Sequence, residues 1–247
     1  FRTGDPTPAE LKRSEIADLV DAFAAAARRA LAAGFEVVEI HGAHGYLIHE
    51  FLSPLVNQRT DEYGGSFENR TRILREIVAG IRADGNPIDL AVRLSAFDTV
   101  PFRPDPAMSE AGRPGHGIPE EFSHCLPYEY GFGLNPQNPL ELDLREPAMF
   151  LAFCADLGVK LVNLSAGSPY YNPHIQRPAA YPPSDGYLPP EDPLAGVARQ
   201  IQVVRKLKAR IGGRLVLVGS GYSYLQDFLP QVAQHVVRAG WVDLVGI

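Results

Sequence analysis

The sequence predicts an α/β fold of the (β/α)8 TIM-barrel class, with strands four to eight and long loops making up the 247 residues. Three observations predict it. Five helix-then-strand units follow one another with no hairpin signal, which implies a parallel sheet with helical crossovers. No G-x-G-x-x-G follows the first strand, which weakens the competing doubly wound dinucleotide fold. Segments 97–145 and 165–192 are long excursions dense in Pro and Gly, so the loops use much of a length that an eight-unit barrel needs for itself, about 250 residues.

The units come in order. Ile16, Leu19, Val20, Phe23, Ala27, Ala30 and Leu31 recur at helical spacing, with Ser14 as N-cap and Gly34 as the stop. The run 35–40 is a short, β-branched strand in which Glu36 and Glu39 are unusual. A helix over 67–84, with Ile73, Ile77 and Ile81 on one face, precedes a strand over 90–94. A helix over 146–157 precedes a strand over 159–164, and a helix over 193–210 precedes one over 214–218. The last pair is a helix over 223–238 and a strand over 241–245. The stretch Pro178–Pro183 resembles a linker, but its tyrosine neighbours argue for a packed loop, so 1–247 is read as one domain. The chain opens on Phe1 and closes inside a predicted strand, and we expect it to be incomplete at both ends.

Composition removes several function classes. Apolar residues make up 45% and charged residues 21%, as in a folded globular protein. A net charge of −6 argues against nucleic-acid binding, which wants a basic face. No apolar stretch is long enough to span a bilayer. Cys125 and Cys154 cannot build a disulfide framework, and no signal peptide is read, so a cytoplasmic location is expected. Homo-oligomerisation is left open.

In a parallel barrel the chemistry lies just past the C-terminal ends of strands. His41 and His44, three apart and flanked by glycines, admit three uses there: donating to a carbonyl or phenolate oxygen, ligating a metal, or packing. A metal asks for three or four ligands, and His49 and Glu50 are read as facing elsewhere on a helical turn. Tyr46 is either a proton donor to a carbanion or an aromatic lid. Arg93, inside an apolar strand, requires a partner: either Glu39 in an ion pair, or a ligand that becomes anionic. The turn Gly219-Ser220-Gly221 before a helix suits a phosphate, although many β–α turns are Gly-rich. No G-x-S-x-G elbow is present, which disfavours hydrolases.

The run Glu39-Ile40-His41-Gly42-Ala43-His44-Gly45-Tyr46-Leu47-Ile48-His49-Glu50-Phe51-Leu52-Ser53-Pro54, continued by Asn57-Gln58-Arg59-Thr60-Asp61-Glu62-Tyr63-Gly64-Gly65-Ser66-Phe67-Glu68-Asn69-Arg70, strongly resembles the old yellow enzyme family of FMN-dependent ene-reductases. The resemblance implies a TIM barrel with FMN at its C-terminal mouth, NAD(P)H as reductant and an enone-type small molecule as substrate. It implies that His41 and His44 bind the substrate carbonyl oxygen, that Tyr46 donates the proton, that Arg93 lies beside the flavin N1/O2 edge, and that Gly219, Ser220 and Gly221 belong to the phosphate loop, with no metal. The alternatives are a phosphate-binding barrel enzyme without flavin and a ligand-binding relative without turnover. The aromatic cluster Tyr170, Tyr171, His174 and Tyr187 is expected to cap the pocket.

Overall fold

A computed structural model describes residues 9–246 except 55, 111–112 and 182–185. Phe1, Ile247 and the Pro182–Pro183 end of the linker-like stretch lie outside the described residues. Five strands, β1 (Val37–Gly42), β2 (Asp89–Ser95), β3 (Leu161–Ser165), β4 (Val216–Gly219) and β5 (Leu244–Val245), form one parallel sheet in the order β1-β2-β3-β4-β5. A doubly wound sheet reverses its strand order at a switch point. This order runs straight through, as in a barrel wall.

The helices are α1 (Arg13–Ala32), α2 (Leu47–Leu52), α3 (Phe67–Arg70), α4 (Arg72–Ala83), α5 (Arg145–Asp156), α6 (Pro173–Gln176), α7 (Pro193–Ile211) and α8 (Leu229–Arg238). Side chains alternate between the two sheet faces. Ile40, Val92, Val162 and Leu217 point one way, all at most 3% exposed. They share a core with Ile73 and Ile77 of α4, Phe150 and Leu151 of α5, and Val204 and Leu207 of α7. The helix α1 packs on α4 at Gly80, where a β-carbon would lie 3.2 Å from Val20 Cγ1.

The other face carries His41, Arg93, Asn163, Val218 and Leu244 side by side, one from each strand. On this face Asn163 Nδ2 donates to Glu39 Oε2 at 3.1 Å. The bond joins β3 to β1 across β2, over the small side chain of Ala91. Contact between alternate strands over a small residue is the layering of a barrel interior.

Several boundaries differ from those the sequence predicts. The first helix is capped at Lys12, two residues before the expected cap, because the Glu15 carboxylate accepts the Lys12 N–H at 2.6 Å and Ser14 falls inside the first turn. The helix expected over 67–84 breaks at Thr71, whose hydroxyl donates to Phe67 O at 2.9 Å and so competes for a helical carbonyl. The helix expected over 223–238 begins as a 3-10 turn, Ser223–Phe228, with Gln226 at φ +46° before Pro230 opens α8. The 97–145 excursion contains two antiparallel hairpins, Phe102–Pro104 with Gly117–Pro119 and Leu134–Asn135 with Asn138–Leu142. Their strands span two to five residues and hold Pro104, Pro119 and Pro139, which hides the alternation that marks a strand.

Leu217 lies at the centre of the covered face with no exposure. Leu217→Ala is expected to cost roughly 2–5 kcal/mol of stability. Urea unfolding measures it, and a loss below about 1 kcal/mol would show that the helices do not pack on that face.

Candidate active site

The strand β1 ends at Gly42, where a β-carbon would lie 3.0 Å from Arg93 O. The chain then turns through two successive left-handed residues, His44 at φ +63° and Gly45 at φ +80°. A histidine there is strained and persists only where its surroundings over-determine it. Four groups do so. His44 N donates to Ser95 Oγ at 3.0 Å, and Ser168 Oγ donates to His44 O at 3.3 Å. Gly45 N donates to His49 Nδ1 at 2.8 Å, and His44 Nε2 lies 2.7 Å from Ser165 Oγ. Ser95 and Ser165 end the strands β2 and β3 and Ser168 lies in the loop just after β3, so the C-terminal edge of the sheet shapes the turn.

The turn gathers three of the singled-out side chains. The His41 and His44 rings stand edge to face with centroids 5.5 Å apart, and the Tyr46 ring is 5.0 Å from His41. The Tyr46 hydroxyl meets that of Tyr170 at 2.8 Å. Burial lowers the His41 pKa, with a further contribution from Arg93, against a smaller opposing pull from Glu39. Burial and then Arg93 bring His44 down to about 4. Both rings are therefore neutral hydrogen-bonding groups near pH 7.

Arg93 sits beside them, in register with His41. The ion pair with Glu39, one of the two readings open for Arg93, is absent among the described residues, and Glu39 accepts from Asn163. Arg93 has no salt bridge among the described residues, and its buried Nε has no hydrogen-bond partner. An uncompensated buried donor of this kind fits an acceptor-rich or anionic group placed on the open face of the sheet.

At the end of β4, Gly221 is held at φ +87° with Gln200 pressed where a β-carbon would go, so a side chain is excluded there. The Ser220 N–H is spent on Leu164 O at 3.2 Å, and the Ser220 hydroxyl donates to Asn163 Oδ1 at 2.8 Å. Ser220, Asn163 and Glu39 thus form one polar row across the same face as Arg93. The turn leads into the 3-10 segment 223–228, so an α-helical N-terminus does not directly follow it.

His49 sits on the helical turn α2 and does not join His41 and His44 on the open face; it is 1% exposed and braces the turn through Gly45 N. Its Nε2 faces Asp98 Oδ2 at 3.6 Å, and Asp98 in turn accepts from the Tyr171 hydroxyl at 3.2 Å. Burial holds His49 down to about 4, so this contact is not an ion pair at neutral pH. Asp98 gave no signal in the sequence beyond its position just after a strand. The aromatic cap divides in three: Tyr170 reaches Tyr46, Tyr171 turns inward to Asp98, and His174 bonds Tyr187 at 2.7 Å beside a cavity of about 500 Å³. Cys125 and Cys154 are free thiols, and no described group of three or more His, Cys, Asp or Glu is placed to hold a metal. No described helix is long and apolar enough to cross a membrane.

Burial pushes the Asp98 carboxyl up to about 7, outweighing the pull of its Tyr171 and Asn172 partners. Between roughly pH 4 and pH 7 the folded chain keeps a proton that the unfolded chain has lost, so this contribution to stability is present at low pH and disappears as pH rises through 7. Asp98→Asn removes that dependence. The stability of the variant relative to the parent is expected to climb from pH 4 to 7.5 by on the order of 2 kcal/mol. Thermal unfolding at stepped pH measures it, and a difference flat in pH would mean that Asp98 ionises as an ordinary carboxylate.

With the fold and the turn described, similarity to known proteins becomes interpretable. Residues 1–114 match the family model described as NADH:flavin oxidoreductase / NADH oxidase family. NADH:flavin oxidoreductase FG08077 of Gibberella zeae is 32% identical over 240 residues, covering 96% of this chain and 48% of that protein. An NADPH dehydrogenase of Clostridium acetobutylicum is 58% identical over 82 residues, 33% of this chain and 24% of the relative. The chain therefore spans about half the length, or less, of these relatives. Among solved structures, histamine dehydrogenase from Rhizobium sp. 4-9 superposes with a TM-score of 0.64 at 27% identity, covering all of this chain and 27% of that one. A 2-naphthoyl-CoA reductase superposes at 0.62 over 96% of this chain and 27% of its own, and at 24% identity it speaks for the fold alone. The matched motif of residues 1–114 and these relatives are those of the NADH:flavin oxidoreductase / NADH oxidase family, the old yellow enzyme family.

Proposed function

We propose that the protein is an FMN-dependent NAD(P)H oxidoreductase that reduces the activated C=C bond of α,β-unsaturated carbonyl compounds, and that this chain supplies strands four to eight of one flavin-binding TIM-barrel domain. The observation that carries the reading is the pairing of the His41 and His44 rings, 5.5 Å apart, beside an Arg93 that no described carboxylate neutralises. Arg93, whose Nε has no partner, and the Gly219-Ser220-Gly221 turn, whose Ser220 N–H is already taken by Leu164 O, are the groups that would hold FMN. FMN bound there and reduced by NAD(P)H would supply the hydride for the β-carbon of the substrate.

The chain's own residues supply the rest. As the β-carbon gains hydrogen, negative charge grows on the carbonyl oxygen. Two neutral imidazole N–H donors aimed at that oxygen stabilise the charged transition state more than the uncharged substrate. In this reading the Ser165 hydroxyl, 2.7 Å from His44 Nε2, is the donor of that contact. The ring proton of a neutral His44 then sits on Nδ1, free to donate. Neutral imidazoles are poor proton sources, which leaves the Tyr46 phenol to deliver the proton to the α-carbon. Its hydroxyl contact with Tyr170, which is 71% exposed, links that proton to solvent.

Loss of one preorganised donor costs about 3 kcal/mol. In the full-length flavoprotein, His41→Ala is accordingly expected to slow enone reduction about 100-fold while flavin reduction by NAD(P)H changes little. Stopped-flow measurement of the two half-reactions separates them, and an equal loss in both would refute the clamp.

A further inference from the structure

We infer that His49 is a positioning residue that sets the His44–Tyr46 turn through the backbone of Gly45, with Asp98 lying beside its other ring nitrogen. The inference rests on the reading of His41, His44 and Tyr46 as the substrate-facing groups.

His49 is 1% exposed and Asp98 is 4% exposed. Burying two titratable side chains is costly, and apolar residues of similar volume pack as well or better. Something other than packing accounts for them. Nδ1 of His49 accepts the Gly45 N–H at 2.8 Å, which fixes one of the two left-handed residues of the turn to the helix that follows. An accepting Nδ1 requires a bare lone pair, so the ring proton belongs on Nε2. That proton points at Asp98 Oδ2, 3.6 Å away, across a buried gap in which Nε2 finds no closer partner.

Asp98 is itself tied on two further sides. Its backbone N–H donates to Phe132 O at 2.9 Å, and its carboxylate accepts from the Tyr171 hydroxyl at 3.2 and 3.3 Å. Tyr171 belongs to the same loop as Tyr170, which meets Tyr46, and Ser168, which holds His44 O. Asp98 therefore lies between His49 and the loop after β3, bonded to that loop through Tyr171 and facing His49 at 3.6 Å, while Ser168 and Tyr170 join the loop to the turn directly. A shift of either loop moves Tyr46 relative to the imidazole pair. Neither residue touches the open face where substrate binds, so His49 acts through the turn.

The test uses the full-length holoprotein with His49→Phe, which keeps the ring and removes the acceptor, and His49→Asn, which restores an oxygen that the Gly45 N–H can reach. His49→Phe is expected to raise KM for cyclohexenone and slow its reduction, each about tenfold, with NADPH reduction of the flavin within twofold of the parent and most of the loss recovered in His49→Asn. A His49→Phe variant equal to the parent, or one losing both half-reactions together with no recovery in His49→Asn, overturns the inference. A second readout is independent of turnover: in histidine-labelled parent protein, the 15N shifts of His49 are expected to show a bare Nδ1 and a protonated Nε2, and the reverse overturns the inference. A parent that leaves cyclohexenone untouched refutes the reductase reading and not this one, which the ring-nitrogen shifts then decide.

Discussion

The lateral register of five parallel strands is the constraint on which the site depends, because it places one residue from each strand on a single line across the open face of the sheet. His41 stands opposite Arg93, Arg93 opposite Asn163 and Asn163 opposite Val218. A slip of one residue in any strand would send that side chain to the helix-covered face. The register is fixed from the other side: Ile40, Val92, Val162 and Leu217 must stay buried under the helices, and their burial keeps the polar row where it is. Core packing and site geometry are two faces of one pattern of alternation.

Arg93 gives that row its chemical character. An unpaired buried donor costs about 1–3 kcal/mol. The sheet offers Glu39 as a partner and then spends it on Asn163 instead. The cation is left to act on its surroundings, and its field helps keep both neighbouring imidazoles uncharged. Neutral rings can donate to an oxygen that becomes negative without first repelling the cation beside them. The serines at and just past the strand ends complete the arrangement, since Ser95, Ser165 and Ser168 hold the turn and orient His44 without adding charge.

Much of this was legible in the sequence, for identifiable reasons. The parallel α/β order followed from β-branched runs alternating with amphipathic helices, and the strand-exit positions of His41, His44 and Arg93 followed from it. The side chains that support them were not legible. His49 lies within the same motif, yet helical spacing alone does not tell that a ring bends back onto the turn before it. Asp98 and Tyr171 meet across 73 residues. Their contact is set by the excursion 97–145, whose short, proline-bearing hairpins carry no period-two signal. Local pattern fixes elements and their ends, whereas buried polar contacts between distant loops are decided by how those ends come together.

The central claim is that His41 and His44 share one oxygen. A crystal structure of the full-length flavoprotein with a bound phenol or enone tests it most directly. The ligand oxygen is expected within about 3.2 Å of a ring nitrogen of each histidine. An oxygen bound by neither ring, or rings turned apart in the presence of ligand, would contradict the account.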